Sequence, residues 1–292
     1  VLIMSSSFKE VAVAQKNMEM GKQLKEKGSF KEAIAKYNMA LKLTPDNIQA
    51  LNQLASVYEA QENWEEVVKC CRKIVAFQPT NARAYLRQAR ALKQQNKLYG
   101  AIAAFQEAVE IDKDILKAQD YKQLGDLFVQ IKSSENQKAQ ANDAIATYKK
   151  AVELKPDFPP QVHISLADTL QKQERFEEAI VSYQKALEVK PDLGAGVYTK
   201  LGKAQLKQGQ LDEAIATYRK VIELDPSSVA AYQNLGNALQ QKSLFNDAIN
   251  SYQKAIELNP NAPGLYRLMG DLMTKQGRTT EAAQYYQKAT SI

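Results

Sequence analysis

The sequence predicts an all-α solenoid built from eight stacked helix pairs. Three observations predict it: a set of landmarks recurs about every 34 residues, each copy combines small residues with a bulky one, and a proline closes most copies. The chain has 292 residues, of which 45% are apolar, so it can bury a core. Repeat units of this length stack on their neighbours because a single unit cannot bury its apolar face alone.

The first copy shows what each landmark does. Gly21 and Ala33 are small, so the two helices of the pair can approach closely, and Tyr37 fills the space beside that contact. Pro45 ends the pair because proline cannot continue a helix. Successive copies of the Ala33 landmark are 34, 34, 43, 35, 35, 34 and 34 residues apart. These landmarks are Ala33, Val67, Ala101, Ala144, Ala179, Ala214, Ala248 and Ala282.

The landmarks resemble those of the tetratricopeptide repeat (TPR) family from about residue 14 to the end of the chain. The regularity of the repeats is similar to that of multi-repeat TPR proteins of bacteria, in particular of cyanobacteria. The resemblance implies a right-handed α-α superhelix in which the first helix of each pair lines a concave groove. We therefore divide the chain into an N-terminal extension, 1–13, and a solenoid, 14–292. The predicted repeats are 14–47, 48–81, 82–115, 118–158, 160–193, 195–228, 229–262 and 263–292.

Two features depart from the regular pattern. The fourth repeat carries extra polar residues, 132–141, which we predict to form a surface loop before a second helix that begins near Asn142. The last repeat ends at Ile292 without an additional polar helix, although solenoids usually need such a cap. We therefore expect either that the natural protein continues or that this end docks onto another surface.

Composition excludes several classes of protein. The net charge of +6 is spread over a long chain and does not by itself indicate nucleic-acid binding. No segment approaches the roughly 20 apolar residues of a membrane-spanning helix, and the first residues do not resemble a signal peptide. The adjacent Cys70 and Cys71 are predicted to be free thiols in a reducing compartment, which favours a cytoplasmic location.

The sequence pattern does not indicate catalysis or metal binding. The single histidine, His163, stands where neighbouring copies have an aromatic residue, so we predict that it packs in the core. A zinc site needs clustered histidines or cysteines, a phosphate loop needs grouped glycines after a strand, and a nucleophile needs an adjacent base. We predict a protein that is not an enzyme and that uses no metal or cofactor.

The predicted binding surface consists of first-helix residues on the side opposite their packing residues. The third and sixth repeats place cations there at helical spacing, and the second and seventh place amides. Amides can hydrogen-bond the backbone of an extended peptide, whereas cations favour carboxylates. The predicted peptide-binding residues are Gln49, Asn52, Gln53, Arg83, Arg87, Arg90, Lys93, Lys200, Lys203, Asn234 and Asn237.

The leading hypothesis is a non-catalytic scaffold that holds an extended, acidic peptide or partner domain in its groove. Charge reversal at Arg87 and Arg90 is then expected to abolish binding without changing the helical content. The alternative is a recruiting module of a larger enzyme, for example a glycosyl, methyl or sulfo transferase. A third hypothesis is self-association through the uncapped C-terminal end. No nucleic-acid partner is predicted, because the groove lacks aromatic residues on which bases could stack.

Overall fold

The computed structural model describes residues 2–131 and 136–292, without the side chains of residues 2–7. Within these ranges all regular structure is α-helical, and sixteen helices follow one another as eight pairs. The predicted all-α class and the eight helix pairs are therefore confirmed. The chain divides into two compact units, which we call unit 1 (Val1–Leu154) and unit 2 (Lys155–Ile292).

Each unit contains four helix pairs, and the first helix of every pair has an odd number. Unit 1 contains α1 (Leu2–Glu26), α2 (Phe30–Leu43), α3 (Ile48–Ala60), α4 (Trp64–Phe77), α5 (Ala82–Gln94), α6 (Leu98–Ile111), α7 (Ala118–Gln130) and α8 (Gln137–Leu154). Unit 2 contains α9 (Pro160–Lys172), α10 (Phe176–Val189), α11 (Ala195–Gln208), α12 (Leu211–Leu224), α13 (Val229–Gln241), α14 (Phe245–Leu258), α15 (Pro263–Lys275) and α16 (Thr279–Ser291).

Side-chain caps begin several of the first helices. Asn47 accepts a hydrogen bond from the Ala50 amide at 2.9 Å, and Asn81 accepts one from the Ala84 amide at 3.0 Å. Each bond satisfies a backbone donor that has no partner inside the helix, which is why asparagine favours this position. Each unit then packs its helices in chain order, so a first helix contacts the second helices on either side of it.

The second helix of the fourth pair is longer than we predicted. The expected loop covers residues 132–141, but α8 begins at Gln137, so residues 137–141 belong to a helix. Glutamine, lysine and alanine fill this stretch, and all three are strong helix formers, which explains the difference. The remaining loop residues, 132–135, lie outside the described residues.

The N-terminal residues also join a helix, because α1 runs without a break from Leu2 to Glu26. Phe8, Val11 and Val13 on this helix are exposed, whereas Ala14 and Met18 are buried. The core of the first pair therefore starts near the predicted boundary at residue 14. The division into an extension and eight repeats stays a prediction.

A tyrosine packed on a glycine joins the two helices of several pairs. Tyr218 of α12 is fully buried against Gly202 of α11, where a Cβ atom would lie only 2.8 Å from Cε1 of the tyrosine. Such a distance is a steric clash, so glycine is needed for this close approach. The same contact joins Gly21 to Tyr37, Gly125 to Tyr148, Gly236 to Tyr252 and Gly270 to Tyr286.

Candidate functional site

The first helices of unit 1 are joined to one another by polar side chains, and Arg87 makes the most extensive of these bridges. Its Nε and Nη2 atoms donate to the two carboxylate oxygens of Glu59 on α3, at 2.8 and 3.0 Å. Its Nη1 atom donates to the backbone oxygen and to Oδ1 of Asn52, both at 3.2 Å. This two-pronged geometry is the strong form of an arginine–carboxylate pair. The Arg87 charge is therefore neutralised within the chain.

Arg90 makes a second bridge, to the next first helix. Its Nε and Nη2 atoms donate to Oδ1 of Asp120 on α7, at 2.9 and 2.7 Å. Asp120 is only 1% exposed, and its Oδ2 atom accepts the backbone N–H of Lys117 at 3.1 Å. A buried carboxylate needs such partners because its desolvation is costly. Arg90 is thus a counter-charge for a buried acid.

Two lysines extend the same row. Lys93 donates to Oε1 of Gln123 on α7 at 3.2 Å. Lys25 of α1 donates to Oε1 of Gln53 at 3.2 Å and to the Ser56 hydroxyl at 2.8 Å, both on α3. The bridges therefore connect α1, α3, α5 and α7 in order, and we call this row the first-helix face of unit 1.

The remaining predicted residues of unit 1 are Gln49 and Arg83, and both are exposed. In the part of the chain that the structure describes, Arg83 makes no ion pair. It lines an open cleft together with Phe77 and Ile111. Arg83 is therefore the predicted arginine whose charge stays available to a partner.

Unit 2 carries a first-helix face of its own, on α9, α11 and α13. Lys200 donates to Oδ2 of Asp168 at 2.6 Å, so it too is paired with the preceding first helix. Asn237 accepts a hydrogen bond from the Tyr252 hydroxyl at 2.6 Å. By contrast, Lys203 is exposed and has no ion pair among the described residues. Asn234 is half-buried on α13.

The structure thus brings five predicted residues of unit 1 into one bridged row, and the predicted residues of unit 2 lie on two neighbouring helices. The acidic partners of the cations are missing from the sequence prediction. A usable signal existed, because cation and acid are separated by close to one repeat: 28 residues for Arg87, 30 for Arg90 and 32 for Lys200. Residues separated in this way lie on successive first helices.

The candidate chemical groups are buried, in agreement with the packing role predicted for His163. That side chain is 6% exposed, and burial lowers its pKa, so the imidazole is neutral at pH 7. Cys70 and Cys71 are free thiols, as predicted, and burial raises their pKa values to about 11 and about 12. Both thiols therefore stay protonated and weakly nucleophilic. Among residues 2–131 and 136–292, no cluster of three metal-ligating side chains occurs.

No helix in the described ranges is both long enough and apolar enough to span a bilayer.

Matches to family models cover most of both units. A model described as TPR repeat matches three ranges, residues 21–62, 167–209 and 202–243. Models described as Tetratricopeptide repeat match residues 50–83, 82–115 and 229–262.

Curated proteins match parts of the chain. Sperm-associated antigen 1 of Homo sapiens is 28% identical over 125 residues, which is 42% of this chain and 13% of that protein. The chain spans between 10 and 19% of the length of the curated relatives it matches.

Solved structures match more of the chain. YrrB, described as a TPR protein with an unusual peptide-binding site, has a TM-score of 0.53 at 25% identity and covers 65% of this chain and 93% of its own. The C-terminal part of a TPR repeat-containing protein from Cytophaga hutchinsonii has a TM-score of 0.57 at 18% identity. That match covers 81% of this chain and 93% of the other, and it shows the fold alone.

Proposed function

The chain belongs to the tetratricopeptide repeat family, and from that premise we propose that it is a non-catalytic scaffold that binds an extended peptide segment of a protein partner along its first-helix faces. The observation that carries the proposal is the row of polar side chains on successive first helices of unit 1. An extended peptide offers a backbone donor and acceptor at each residue, and amides and cations in a row can bond them without reading one sequence.

We further propose that the peptide is acidic, although fewer cations support this than the sequence suggested. Arg87, Arg90 and Lys200 are already paired with carboxylates of the chain. Among the described residues, the cations on the predicted surfaces that have no carboxylate partner are Arg83 and Lys93 in unit 1 and Lys203 in unit 2, and Lys93 is bonded to the neutral Gln123. Each would form a charge-assisted hydrogen bond with a carboxylate. The net charge of +6 would add a weak, long-range attraction.

The printed description of YrrB supports the general form of the proposal, because that protein has a peptide-binding site and shares this fold at 25% identity. Peptide binding through stacked helix pairs is therefore a function that this architecture can carry. The proposal for this chain depends on its own first-helix residues, since the same fold can serve many functions.

The test measures fluorescence anisotropy of labelled twelve-residue peptides, acidic or neutral, mixed with the 292-residue chain. Variants Arg83→Glu and Lys203→Glu are compared with Arg219→Glu, which reverses an exposed cation on the second helix α12. We expect Kd for the acidic peptides to rise at least about tenfold in the first two variants and to change little in the third. Raising the salt from 50 to 500 mM is expected to weaken binding, because salt screens exposed charges.

Arg87 and Arg90 are unsuitable for this test. Reversing either charge would place an acid against Glu59 or the buried Asp120, so lost binding would report lost structure. An equal loss in all three variants would indicate non-specific charge attraction, and a chain that binds neither peptide class would refute the proposal.

A further inference from the structure

An open cleft of about 440 Å³ lies among three consecutive helices of unit 1, and we call it the α4–α6 cleft. The first helix α5 lines it with Tyr85, Gln88 and Leu92. The second helices on either side of α5 contribute the other lining residues, which are Arg72 of α4 and Lys97, Gly100, Ala103, Ala104 and Glu107 at the start and along α6. None of these residues belongs to the first-helix face, so the cleft is a separate surface.

Four residues in or beside this cleft depart from the pattern of the chain's own repeats. Gly100 stands where the other seven second helices have an acid, and Glu107 stands where six of them have a lysine. Tyr99 is the one aromatic residue at its position, which is polar in the other pairs. Gln88 directly precedes the small residue of the first helix, where the other pairs have Met20, Leu54, Leu124, Leu166, Leu201, Leu235 and Met269. Such local departures are expected at functional sites, and here they meet in one helix pair.

Gln88 brings a polar group to a position that is otherwise apolar. Its Oε1 atom is shielded from solvent and accepts no hydrogen bond. An acceptor in this state lowers stability, because it has lost its bonds to water. Leucine or methionine avoids this loss in the other seven pairs, so packing does not explain the glutamine. The last side-chain torsion of glutamine is soft, so the amide can turn its oxygen to a donor that enters the cleft.

The inside of the cleft is mostly apolar. Leu92 and Ala104 are buried in its lining. Gly100 keeps it open, because even a Cβ atom at that position would lie 3.4 Å from Cδ1 of Leu92, and the acid of the other pairs would extend further. Apolar walls with one polar group that fixes orientation are typical of pockets of roughly 300–1,000 Å³ that hold a small group.

The rim carries charges of both signs and an aromatic ring. Arg72, Lys97 and Glu107 are exposed, and none of them makes an ion pair among the described residues. Tyr99, next to Gly100 in the chain, is 68% exposed. Exposed tyrosines are typical of protein interfaces, where the ring packs and the hydroxyl stays wet. The cleft therefore suits a neutral, largely apolar group of a protein partner.

We propose that the α4–α6 cleft receives the indole side chain of a tryptophan from a protein partner, and that the ring N–H donates to Oε1 of Gln88. Tryptophan fits because its side chain is neutral, buries a large apolar area and has a donor but no acceptor. Its rings would pack on Leu92, Ala103 and Ala104, and the Arg72 guanidinium can stack on the outer ring face. The chain would then bind one protein segment here and another on its first-helix faces.

The probe is N-acetyl-tryptophanamide, titrated into the 292-residue chain and followed by NMR of the backbone and side-chain amides. We expect the largest shifts at the side-chain amide of Gln88 and at the backbone amides of Ala103 and Ala104. Two matched compounds isolate the donor: N-acetyl-phenylalaninamide has no donor on its ring, and the N-methylated indole derivative keeps both rings without the N–H. We expect Kd for each to be at least about fivefold higher, because the acceptor stays unpaired.

Two variants return the third pair to the pattern of the others. Gln88→Leu removes the acceptor, and Gly100→Glu restores the acid over the cleft. Both residue types occur at these positions elsewhere in the chain, so the fold should persist, and Gln88→Leu should raise the melting temperature. The matched control, Gln106→Leu, makes the same exchange at an exposed residue of α6 outside the cleft. We expect each test variant to raise Kd at least about tenfold and the control less than about twofold.

Losses confined to the two test variants and to the compounds without the N–H support the proposal. Equal affinity for the tryptophan and N-methylated probes, or for wild type and Gln88→Leu, overturns it. Tighter binding of N-acetyl-tyrosinamide overturns the assignment to tryptophan, and an absence of shifts at the cleft up to the solubility limit overturns the site. Acidic peptides should bind all these variants as they bind wild type, so this proposal and the proposed function fail separately.

Discussion

The fifth and sixth helix pairs of unit 2 use the same buried tyrosine in opposite ways. Tyr183 donates to Asp168, which also holds Lys200 of the next pair, so this site is complete within the chain. Tyr218 lies in the same register, but Lys203 replaces the acid and the hydroxyl is left without a partner. The first-helix residues that face the hydroxyl thus decide whether a repeat satisfies the polar group of its own tyrosine.

The largest expected effect comes from the close contact on which the sixth pair is built. Gly202→Val places a branched side chain where even a Cβ atom would lie 2.8 Å from the Tyr218 ring. We expect the free energy of unfolding to fall by about 3 kcal/mol, because overpacked cores must shift to relieve the clash. Urea unfolding followed by circular dichroism measures it.

The control for that change is Gly196→Ala on the same helix. Nothing lies within 4 Å of the position that its Cβ would take. The added methyl group is expected to leave stability unchanged or to raise it by up to about 1 kcal/mol, since alanine is the better helix former. If both variants were equally stable, the tyrosine–glycine contact would not limit the approach of the two helices.

The next change brings the fifth pair towards the arrangement of the sixth. Asp168→Lys removes the carboxylate acceptor of Tyr183, leaves it the neutral Gln171, and sets a second cation beside Lys200. We expect a loss of about 2 kcal/mol, because a hydroxyl loses its charged partner and an ion pair becomes a repulsion. Hydrogen exchange should show the loss in α9, α10 and α11, and unchanged protection there would contradict the role given to Asp168.

Replacing Tyr183 or Tyr218 by phenylalanine should change the free energy of unfolding by a smaller amount, and only the change at Tyr183 should destabilise the chain. Tyr183→Phe is expected to cost about 1 kcal/mol, because a donor to a carboxylate is lost. Tyr218→Phe is expected to cost nothing or to stabilise slightly, because it removes a hydroxyl without a partner. The melting temperature of each variant, compared with that of wild type, measures its effect. Equal losses would mean that the Tyr218 hydroxyl has a hydrogen-bond partner in solution.

The smallest effect concerns a second difference between the pairs, His163 in the fifth and Tyr198 in the sixth. Burial lowers the pKa of His163 in the folded chain, whereas the unfolded chain takes up this proton near pH 6.5. The contribution of His163 to stability is therefore constant above that pH and falls as pH drops from about 6.5 to the lowered pKa, by less than about 1.4 kcal/mol per pH unit. Melting curves at pH 7.5 and 5.5 should show this fall in wild type.

His163→Tyr should reduce the fall, because the tyrosine does not take up a proton in this range. Other groups titrate in both chains, so the difference between the two pH profiles is the quantity that counts. Identical profiles would mean that His163 is protonated equally in the folded and unfolded states.

Much of the fold could be predicted because its determinants are local in sequence. Small residues, aromatic residues and prolines at fixed spacing indicate where each helix pair packs and ends, and Gly202 with Tyr218 is one case. The start of α8 differs from the prediction because the polar composition of residues 137–141 suggested a loop, whereas their high helix propensity places them in the helix. In that stretch, polarity indicated exposure, which an outward-facing helix also provides.

The site was harder to predict, because its decisive contacts lie one repeat apart. Periodicity within one helix predicts that Arg87 and Arg90 share one side of α5, but it does not reveal Glu59 or Asp120 on the neighbouring helices. The sequence also did not predict that the Tyr218 hydroxyl lacks a hydrogen-bond partner. A missing acceptor is recognised only by comparison with the helix pairs that have one.

The bridges between first helices set the smallest piece of unit 1 that can be moved intact. Arg87 belongs to the third pair but its acid belongs to the second, and the acid paired with Arg90 belongs to the fourth. Deleting the third pair from the chain would leave Asp120 buried without its counter-charge. The same pair grafted alone into another array would lack the acid that pairs with Arg87. Repeats of this kind are transplanted safely only as overlapping sets, so the eight helix pairs are regular in shape without being interchangeable.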